Sequence, residues 1–185
     1  AIWVIFSEAK DVNLARLRTI LPKQVVNVTQ YAYPKNTVLR LVTDGSVFAR
    51  AEQVKGRYGW NIVIAGTAPK PALDIPVAVD TIEGSARLIF GAFDIAPELR
   101  FYDPSVGDAL IIVPSYENAR GVSVERNFPE LTVLASPQGM AMVNRRSDAT
   151  LNATRSGLIF SASGGLAISE SLPLVAGSAP VAGAS

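Results

Sequence analysis

Short runs of β-branched, aromatic and other apolar residues fill most of this chain, and turn-forming residues separate them at intervals of about eight to twelve positions. This spacing is typical of sandwiches and related antiparallel architectures. We therefore predict an all-β fold, mainly antiparallel and composed of sandwich-like β units. The predicted strands are residues 3–7, 25–31, 37–42, 48–53, 60–64, 77–80, 87–93, 99–102, 109–114, 121–125, 131–135, 140–144, 151–153, 158–161 and 166–168.

One segment near the N-terminus has the spacing of a helix instead. Asp11 is placed to cap its first turn, and Pro22 ends it. We predict a short amphipathic helix over residues 12–21 that needs a sheet to pack on. The apolar residues that share one face of this helix are Leu14, Leu17, Ile20 and Leu21.

A length of 185 residues suits one substantial domain or two small ones. We expect residues 1–80 to form a β unit that includes the helix, and residues 81–168 to form a second β-rich part of one or two units. Residues 169–185 contain one charge, Glu170, among mostly small residues and Pro, which is typical of a flexible linker or tail. Because the chain enters the apolar run Ile2–Phe6 at once, we expect it to be a module of a longer protein.

The composition removes several kinds of active site. The chain has no Cys and no His, which excludes disulfides, Cys/His zinc sites, thiol nucleophiles and Ser-His-Asp triads. Carboxylates remain, and Asp103 with Asp108, or Glu117 with Glu125, could form the acid pair of a polysaccharide hydrolase. Both aspartates lie in turn contexts that favour capping of their own backbone. We therefore predict no catalytic residues, no cofactor and no metal.

Seventeen basic and sixteen acidic residues give a net charge of +1, which gives no reason to expect a nucleic-acid partner. The charges are distributed unevenly. Residues 1–65 contain nine basic and four acidic residues, residues 66–130 five and ten, and residues 131–185 three and two. This asymmetry is either scatter over solvated faces or the basis of a head-to-tail contact in a homo-oligomer. No apolar run is long enough for a membrane helix, so we predict no transmembrane segment in this chain.

Two cations and two aromatic residues surround two glycines in the segment Lys55-Gly56-Arg57-Tyr58-Gly59-Trp60. As a hairpin tip, this segment could stack on sugar rings or clamp an anionic polymer. Alternatively it is only a turn, and Trp60 points inward with Ile62 and Ile64 on the apolar face of the following strand. We favour the inward Trp60. The rest of the tip then remains available for rim contacts through Lys55, Arg57 and Tyr58.

Arg40 is a charged residue in the otherwise apolar strand over residues 37–42. With a period of two it shares a face with Val38 and Val42. Arg40 therefore either extends its guanidinium to water at a sheet edge or pairs with an acid in a functional groove. The edge position is the commoner of the two, and we retain Arg40 as a candidate binding residue.

The apolar-Arg-apolar strand also carries a resemblance to a known family. Thr37-Val38-Leu39-Arg40-Leu41-Val42 followed by Gly59-Trp60-Asn61-Ile62-Val63-Ile64 is similar to AMIN-type domains, small β-sandwich modules of the bacterial cell envelope. Ala86-Arg87-Leu88-Ile89-Phe90 followed by Asp108-Ala109-Leu110-Ile111-Ile112-Val113-Pro114 looks like the same pattern again. The resemblance covers residues 37–114, and it departs from the family where the first unit closes on Ala65-Gly66 instead of an acidic residue.

The region also looks like the β-rich N-terminal part of large proteobacterial envelope proteins that continue into tetratricopeptide repeats. This resemblance implies a periplasmic location, and binding to envelope protein partners or peptidoglycan without catalysis. We therefore predict a non-catalytic protein-protein interaction module of a bacterial envelope protein. The alternatives are a structural subunit of a multi-copy envelope assembly, such as a ring or filament, and a module that binds peptidoglycan or another polysaccharide.

Overall fold

A computed structural model of the chain describes residues 1–6, 8–54, 56 and 59–168. It confirms an all-β, mainly antiparallel fold with one short helix, α1 (Leu14–Ile20). The strands are β1 (Ile2–Phe6), β2 (Val25–Ala32), β3 (Thr37–Thr43), β4 (Phe48–Gln53), β5 (Trp60–Ala65), β6 (Leu73–Asp74), β7 (Val77–Ile82), β8 (Ser85–Phe90), β9 (Leu99–Asp103), β10 (Asp108–Val113), β11 (Arg120–Gly121), β12 (Arg126–Asn127), β13 (Leu131–Leu134), β14 (Met140–Asn144), β15 (Thr150–Thr154) and β16 (Gly157–Ser161).

The strands form three main sheets and two small pairs. The main sheets have the strand orders β1-β3-β2, β12-β13-β14-β10-β9 and β15-β16-β8-β7. The small pairs are the antiparallel β4-β5 and the parallel β6-β11. In both copies of the AMIN-like pattern, the opening and closing strands lie in different sheets: β3 is separated from β5, and β8 from β10.

The larger hydrophobic core lies between the five-stranded and four-stranded sheets. The four-stranded sheet contributes alternate residues of its two central strands, β8 and β16, and the five-stranded sheet contributes alternate residues of its three inner strands, β10, β13 and β14. The result is a sandwich that buries large side chains completely. Its central residues include Leu88, Phe90, Ile111, Val113, Leu131, Val133, Met140, Met142, Leu158 and Phe160.

The five-stranded sheet is covered on both faces, and residues 110–113 of β10 are all buried. Leu110 and Ile112 point away from the larger core, because side chains alternate along a strand. Phe101, the cross-strand partner of Leu110, contacts Trp3 of β1 with 4.6 Å between ring centroids. The three-stranded sheet therefore covers the second face, so that three sheets are stacked.

A smaller core lies on the far face of the three-stranded sheet, where α1 packs. Two side chains hold the segment before the helix: Thr37 Oγ1 accepts a hydrogen bond from Lys10 N at 2.8 Å, and Gln30 Oε1 accepts one from Val12 N at 2.9 Å. These bonds fix where the helix begins. The residues in this core include Val28, Leu39 and Leu41 of the sheet and Leu14, Leu17 and Leu21 at the helix.

The helix prediction was right in type but wrong in two details. Asn13, not Asp11, is the N-cap, because the Asn13 side chain accepts the hydrogen bond from Arg16 N and the N–H of Val12 binds Gln30 instead. Ile20 is not on the buried face, since 73% of its surface is exposed. The helix ends at Ile20, and of the four predicted apolar residues only Leu14, Leu17 and Leu21 reach the smaller core.

Two strand predictions were also wrong. Residues 121–125 do not form one strand; β11 and β12 flank a bend there, and the Asp74 carboxylate accepts a hydrogen bond from Ser123 N. Residues 166–168 are not a strand, although Leu166 is buried and its N–H donates to Ala86 O at 2.8 Å. The parallel pair of β6 with β11 was not predicted, because two-residue strands leave no periodic pattern.

Along the chain, the change from the smaller to the larger core falls between Ile64 and Ile75. Ile64 packs against the smaller core, and Ile75 belongs to the larger one. The boundary at residue 80 between residues 1–80 and 81–168 stays a prediction. The proposed linker over residues 169–185 lies outside the described residues.

Arg146 fastens the last described segment to the sandwich. Its guanidinium binds both oxygens of Asp148 at 2.8 Å, Glu130 Oε1 at 2.6 Å and Ser163 O at 3.0 Å. Glu130 in turn accepts a hydrogen bond from Ala167 N at 2.8 Å. The hydrogen bond from Arg146 lowers the pKa of Asp148 to about 2 and, with the bond from Ala167, lowers the pKa of Glu130.

Carboxylates with depressed pKa values stabilise the fold above their unfolded pKa and lose that contribution as the pH falls through the folded pKa. Stability from this network should therefore decline between pH 4.5 and about 2. In Arg146→Met, the free energy of unfolding should be lower at neutral pH and fall less steeply in this range. Urea unfolding at a series of pH values measures this free energy. The control Arg155→Met, at an exposed arginine, should leave the dependence of the unfolding free energy on pH as it is in the wild type. If wild type, Arg146→Met and Arg155→Met all showed the same dependence, this role of Arg146 would be contradicted.

Candidate functional site

The junction between the three-stranded and five-stranded sheets contains a buried ion pair. Arg40 lies on β3, the central strand of its sheet, and Asp103 ends β9. Arg40 Nε is 2.9 Å from Asp103 Oδ2, and the two side chains are only 11% and 3% exposed. The guanidinium also lies 5.7 Å from the ring centroid of Trp3, its neighbour on β1.

This geometry corrects the expectation for Arg40. A sheet-edge position was favoured, but β1 and β2 flank β3 on both sides, so the guanidinium does not extend to water at an edge. The alternative of an acidic partner is confirmed, and the partner is Asp103. Because both groups are buried, we assign Arg40 a structural role at the sheet junction.

Asp103 also keeps the turn role expected from its sequence context. Its Oδ1 accepts a hydrogen bond from Ser105 N at 2.9 Å, while Oδ2 binds Arg40. Asp108 is its cross-strand partner in the hairpin of β9 and β10. The register therefore does bring these two aspartates opposite each other, but both oxygens of Asp103 are engaged in structural contacts.

The second carboxylate pair considered from the sequence is likewise bound to local partners. Glu117 forms an ion pair with Arg120, and Glu125 accepts a hydrogen bond from Asn127 at 3.1 Å. Among the described residues, no group of three or more Asp or Glu side chains is arranged to hold a metal ion.

Aromatic side chains fill the junction around the ion pair. Trp3 packs against Tyr31 at 5.6 Å as well as against Phe101, and Tyr33 meets Phe101 edge-on at 6.1 Å. The Tyr33 hydroxyl donates a hydrogen bond to Arg100 O at 2.7 Å, and burial raises its pKa. The junction is thus a packed interface between sheets, and the ion pair does not line an open groove.

A shallow cleft of about 270 Å³ opens beside this junction, where the β2–β3 turn meets the start of β9. Glu98 on its wall accepts a hydrogen bond from Arg100 Nε at 2.7 Å, and its other carboxylate oxygen is buried without a partner in the described part of the chain. The cleft is smaller than typical ligand pockets of about 300 to 1,000 Å³. Its lining residues are Tyr33, Pro34, Lys35, Asn36, Glu98, Leu99 and Arg100.

The ribbon formed by β4 and β5 contains the other predicted site residue that the structure describes, Trp60. The register pairs Gln53 with Trp60 and Ala49 with Ile64, so Trp60 does share a face with Ile62 and Ile64. Ile64 packs against the smaller core, but Trp60 remains 36% exposed. The inward orientation is therefore only partly realised.

The remaining tip residues, Lys55, Arg57 and Tyr58, lie outside the described residues, and their role as rim contacts stays a prediction. The ribbon is distinctive in its pairing. Within the described part of the chain, β4 and β5 pair only with each other, so one edge of each strand has no ladder partner. Two-stranded ribbons are at best marginally stable without further packing.

Sequence reasoning missed two exposed aromatic residues in the loops that follow β8 and β10, Phe93 and Tyr116. Their loops are joined where Tyr116 N donates to Asp94 O at 2.8 Å. Neither residue lies in a motif, and the only sequence signal was an aromatic residue next to turn-forming neighbours on each loop. This signal is too common to select them.

Gln138 holds the Tyr116 loop in place. Its amide nitrogen donates to the carbonyls of Ser115 and Glu117 at 2.9 and 2.8 Å, and its oxygen accepts from Ala119 N at 2.7 Å. Asp94 and Ala119, one on each loop, have positive φ angles of 52° and 55°. Such backbone is costly for residues other than glycine and is found mainly where the surroundings impose it.

Comparisons with known proteins add no relatives. No family model, curated protein or solved structure matches the chain. No helix in the described ranges is both long and apolar enough to cross a membrane, since α1 has seven residues.

Removing the cation from the buried pair should destabilise the fold strongly. Arg40→Met leaves the Asp103 carboxylate buried without its partner, which should lower the free energy of unfolding by about 3 to 5 kcal/mol. Adding Asp103→Asn removes the uncompensated charge, so the double variant should recover part of the loss. Urea unfolding at neutral pH measures the free energy of unfolding of the single and the double variant.

The matched control is Arg50→Met, which breaks the exposed pair of Arg50 with Glu52 on the ribbon. Exposed pairs contribute less than about 1 kcal/mol, so this variant should unfold close to wild type. If Arg40→Met were no more harmful than Arg50→Met, the junction would not depend on the ion pair.

Proposed function

We propose that this chain is a non-catalytic protein-interaction module of a bacterial envelope protein, located in the periplasm, and that the β4–β5 ribbon is its binding element. The resemblance of residues 37–114 to AMIN-type domains supports the envelope location. The one observation that carries the binding element is a ribbon with unpaired edges and exposed aromatic residues.

The free edges of the ribbon offer backbone groups to an incoming strand. Addition of a strand to such an edge is a common mode of peptide recognition, in which main-chain hydrogen bonds supply affinity and side-chain contacts supply specificity. A third strand would also relieve the marginal stability of the ribbon. The partner we propose is therefore an extended segment of another envelope protein.

The side chains at the ends of the ribbon suit the same role. Phe48 at the start of β4 and Trp60 at the start of β5 are both exposed. Large aromatic residues contribute much of the binding energy in protein interfaces. Since residues 1–65 carry nine basic and four acidic residues, an acidic partner segment is favoured over a basic one.

The ribbon can be tested with a double variant, Phe48→Ser/Trp60→Ser. Envelope proteins from the organism that encodes the chain would be cross-linked to the immobilised wild type, identified by mass spectrometry and purified for titration. Phe48 and Trp60 lie on different strands of the ribbon, so the double variant removes the aromatic contact at whichever edge the partner strand joins. It should bind the purified partner at least about tenfold more weakly.

A control of the same chemistry is Tyr102→Ser/Val106→Ser, on exposed residues of the β9–β10 hairpin. It should bind like the wild type. Recovery of no specific partner, or equal losses in both double variants, would contradict the proposed role of the ribbon. If the recovered partner is a second copy of the chain, the protein is a subunit of a ring or filament. Within the described residues the outer edge of β7 has no partner strand, and its exposed Val79 and Ile82 favour that alternative.

Binding to peptidoglycan is the other alternative, and the exposed Phe93 and Tyr116 favour it, because aromatic faces stack on sugar rings. In this case Phe93→Ala/Tyr116→Ala should abolish retention on purified peptidoglycan. Lys55→Ala/Arg57→Ala tests the tip in the same assay. If peptidoglycan retains none of these proteins, including the wild type, the alternative is removed.

A further inference from the structure

Ile20 has the most exposed large apolar side chain among the described residues, at 73%. It is the last residue of α1 and, unlike the three leucines, it does not pack on the smaller core. Val26 follows after a tight turn, in which Val25 N donates to Pro22 O at 2.9 Å, and is 65% exposed. The register shift between Val25 and Asn27 leaves Val26 unpaired, and bulges of this kind redirect a side chain.

Two cations flank these apolar side chains. Arg16 lies one helical turn before Ile20 and on the same face, and Lys23 lies in the turn that leads to Val26. Neither forms an ion pair with another described residue. We name Arg16, Ile20, Lys23 and Val26 the corner patch.

A third cation, Arg18, connects the two parts of the corner patch. Arg18 donates hydrogen bonds to Val28 O at 3.2 Å and to Asn27 Oδ1 at 3.4 Å, and so links the helix to the start of β2. An acid also lies beside this corner: Asp44, whose N–H donates to Gln24 O at 3.0 Å. Its carboxylate accepts two hydrogen bonds from Ser46 and stays charged. The three cations Arg16, Arg18 and Lys23 outnumber it, so the corner keeps an excess of positive charge.

We propose that the corner patch binds the surface of an anionic phospholipid bilayer. Proteins that lie on a bilayer insert apolar side chains into the boundary between headgroups and acyl chains, while cations contact the anionic headgroups. The patch presents both kinds of group side by side. An acidic peptide or a nucleic acid would engage the cations but leave Ile20 and Val26 in water, which makes the bilayer the better match.

The binding should be reversible and sensitive to salt. Each cation near an anionic surface strengthens association about fivefold, and screening by salt removes most of that gain. Two cations and two aliphatic side chains form a contact much weaker than a spanning helix. The patch thus orients the module on a membrane, and it acts independently of the β4–β5 ribbon.

Sedimentation with vesicles tests the proposal on the full chain. The vesicles are phosphatidylglycerol mixed with phosphatidylcholine, and phosphatidylcholine alone. Wild type should bind the mixed vesicles at low salt and lose binding at high salt or on the neutral lipid. Lys23→Glu and Ile20→Ser should each reduce the partition coefficient by about fivefold or more.

Matched controls are Arg155→Glu and Val124→Ser, at exposed positions of the larger unit. Both should bind like wild type, and thermal unfolding should show that all four variants are folded. Equal wild-type binding to both lipids, absence of binding, or equal binding by Lys23→Glu and wild type would overturn the proposal. So would the combination of full binding by Ile20→Ser and competition by polyglutamate, which would identify an acidic chain as the ligand.

Discussion

The ion pair of Arg40 with Asp103 sets the arrangement of the layers. A charged pair that is almost fully buried is costly unless its geometry and its hydrogen bonds are good. Here the guanidinium binds one carboxylate oxygen, Ser105 N–H binds the other, and Trp3 covers the cation. Because these contacts join the two sheets, a shift of one sheet over the other would break the ion pair and leave buried charges without partners.

The stacked sheets differ from the β4–β5 ribbon in how many of their side chains are buried. The larger sandwich buries complete rows of apolar side chains, and Gln138 and Arg146 bind the loops and the last described segment to it. The β4–β5 ribbon contributes little to either core beyond Ile64. Elements of low local stability are those that can adapt to a partner.

The sequence predicted most of the fold because the sandwich depends on regular alternation. Strands such as β4 and β14 were predicted with the bounds that the structure shows, since each has a continuous pattern and clear turns. Short pairings such as β6 with β11 were missed because their register depends on contacts between distant segments. The cap of α1 was misplaced because Gln30, far away in sequence, binds the N–H of Val12.

The candidate site was harder to predict than the fold. Arg40 was correctly singled out as unusual, but a sequence with sixteen acidic residues cannot indicate which one meets it. The loops that carry Phe93 and Tyr116, one after β8 and one after β10, are joined by a backbone hydrogen bond from Tyr116 N to Asp94 O. The sequence does not indicate such a contact between distant segments. The exposure of Ile20 was not foreseen, because helical spacing shows which residues share a face but not where the helix ends.

The strand order of the four-stranded sheet also constrains how the chain reaches its native state. One of its two central strands, β8, pairs with its neighbour β7 through a tight hairpin. The other edge of β8 pairs with β16, which is far away in sequence, as in the pair of Phe90 with Leu158. Pairings between such distant segments form slowly, and an unpaired edge is exposed to aggregation in the meantime. During synthesis, the sandwich therefore cannot close until nearly all of the described residues have left the ribosome.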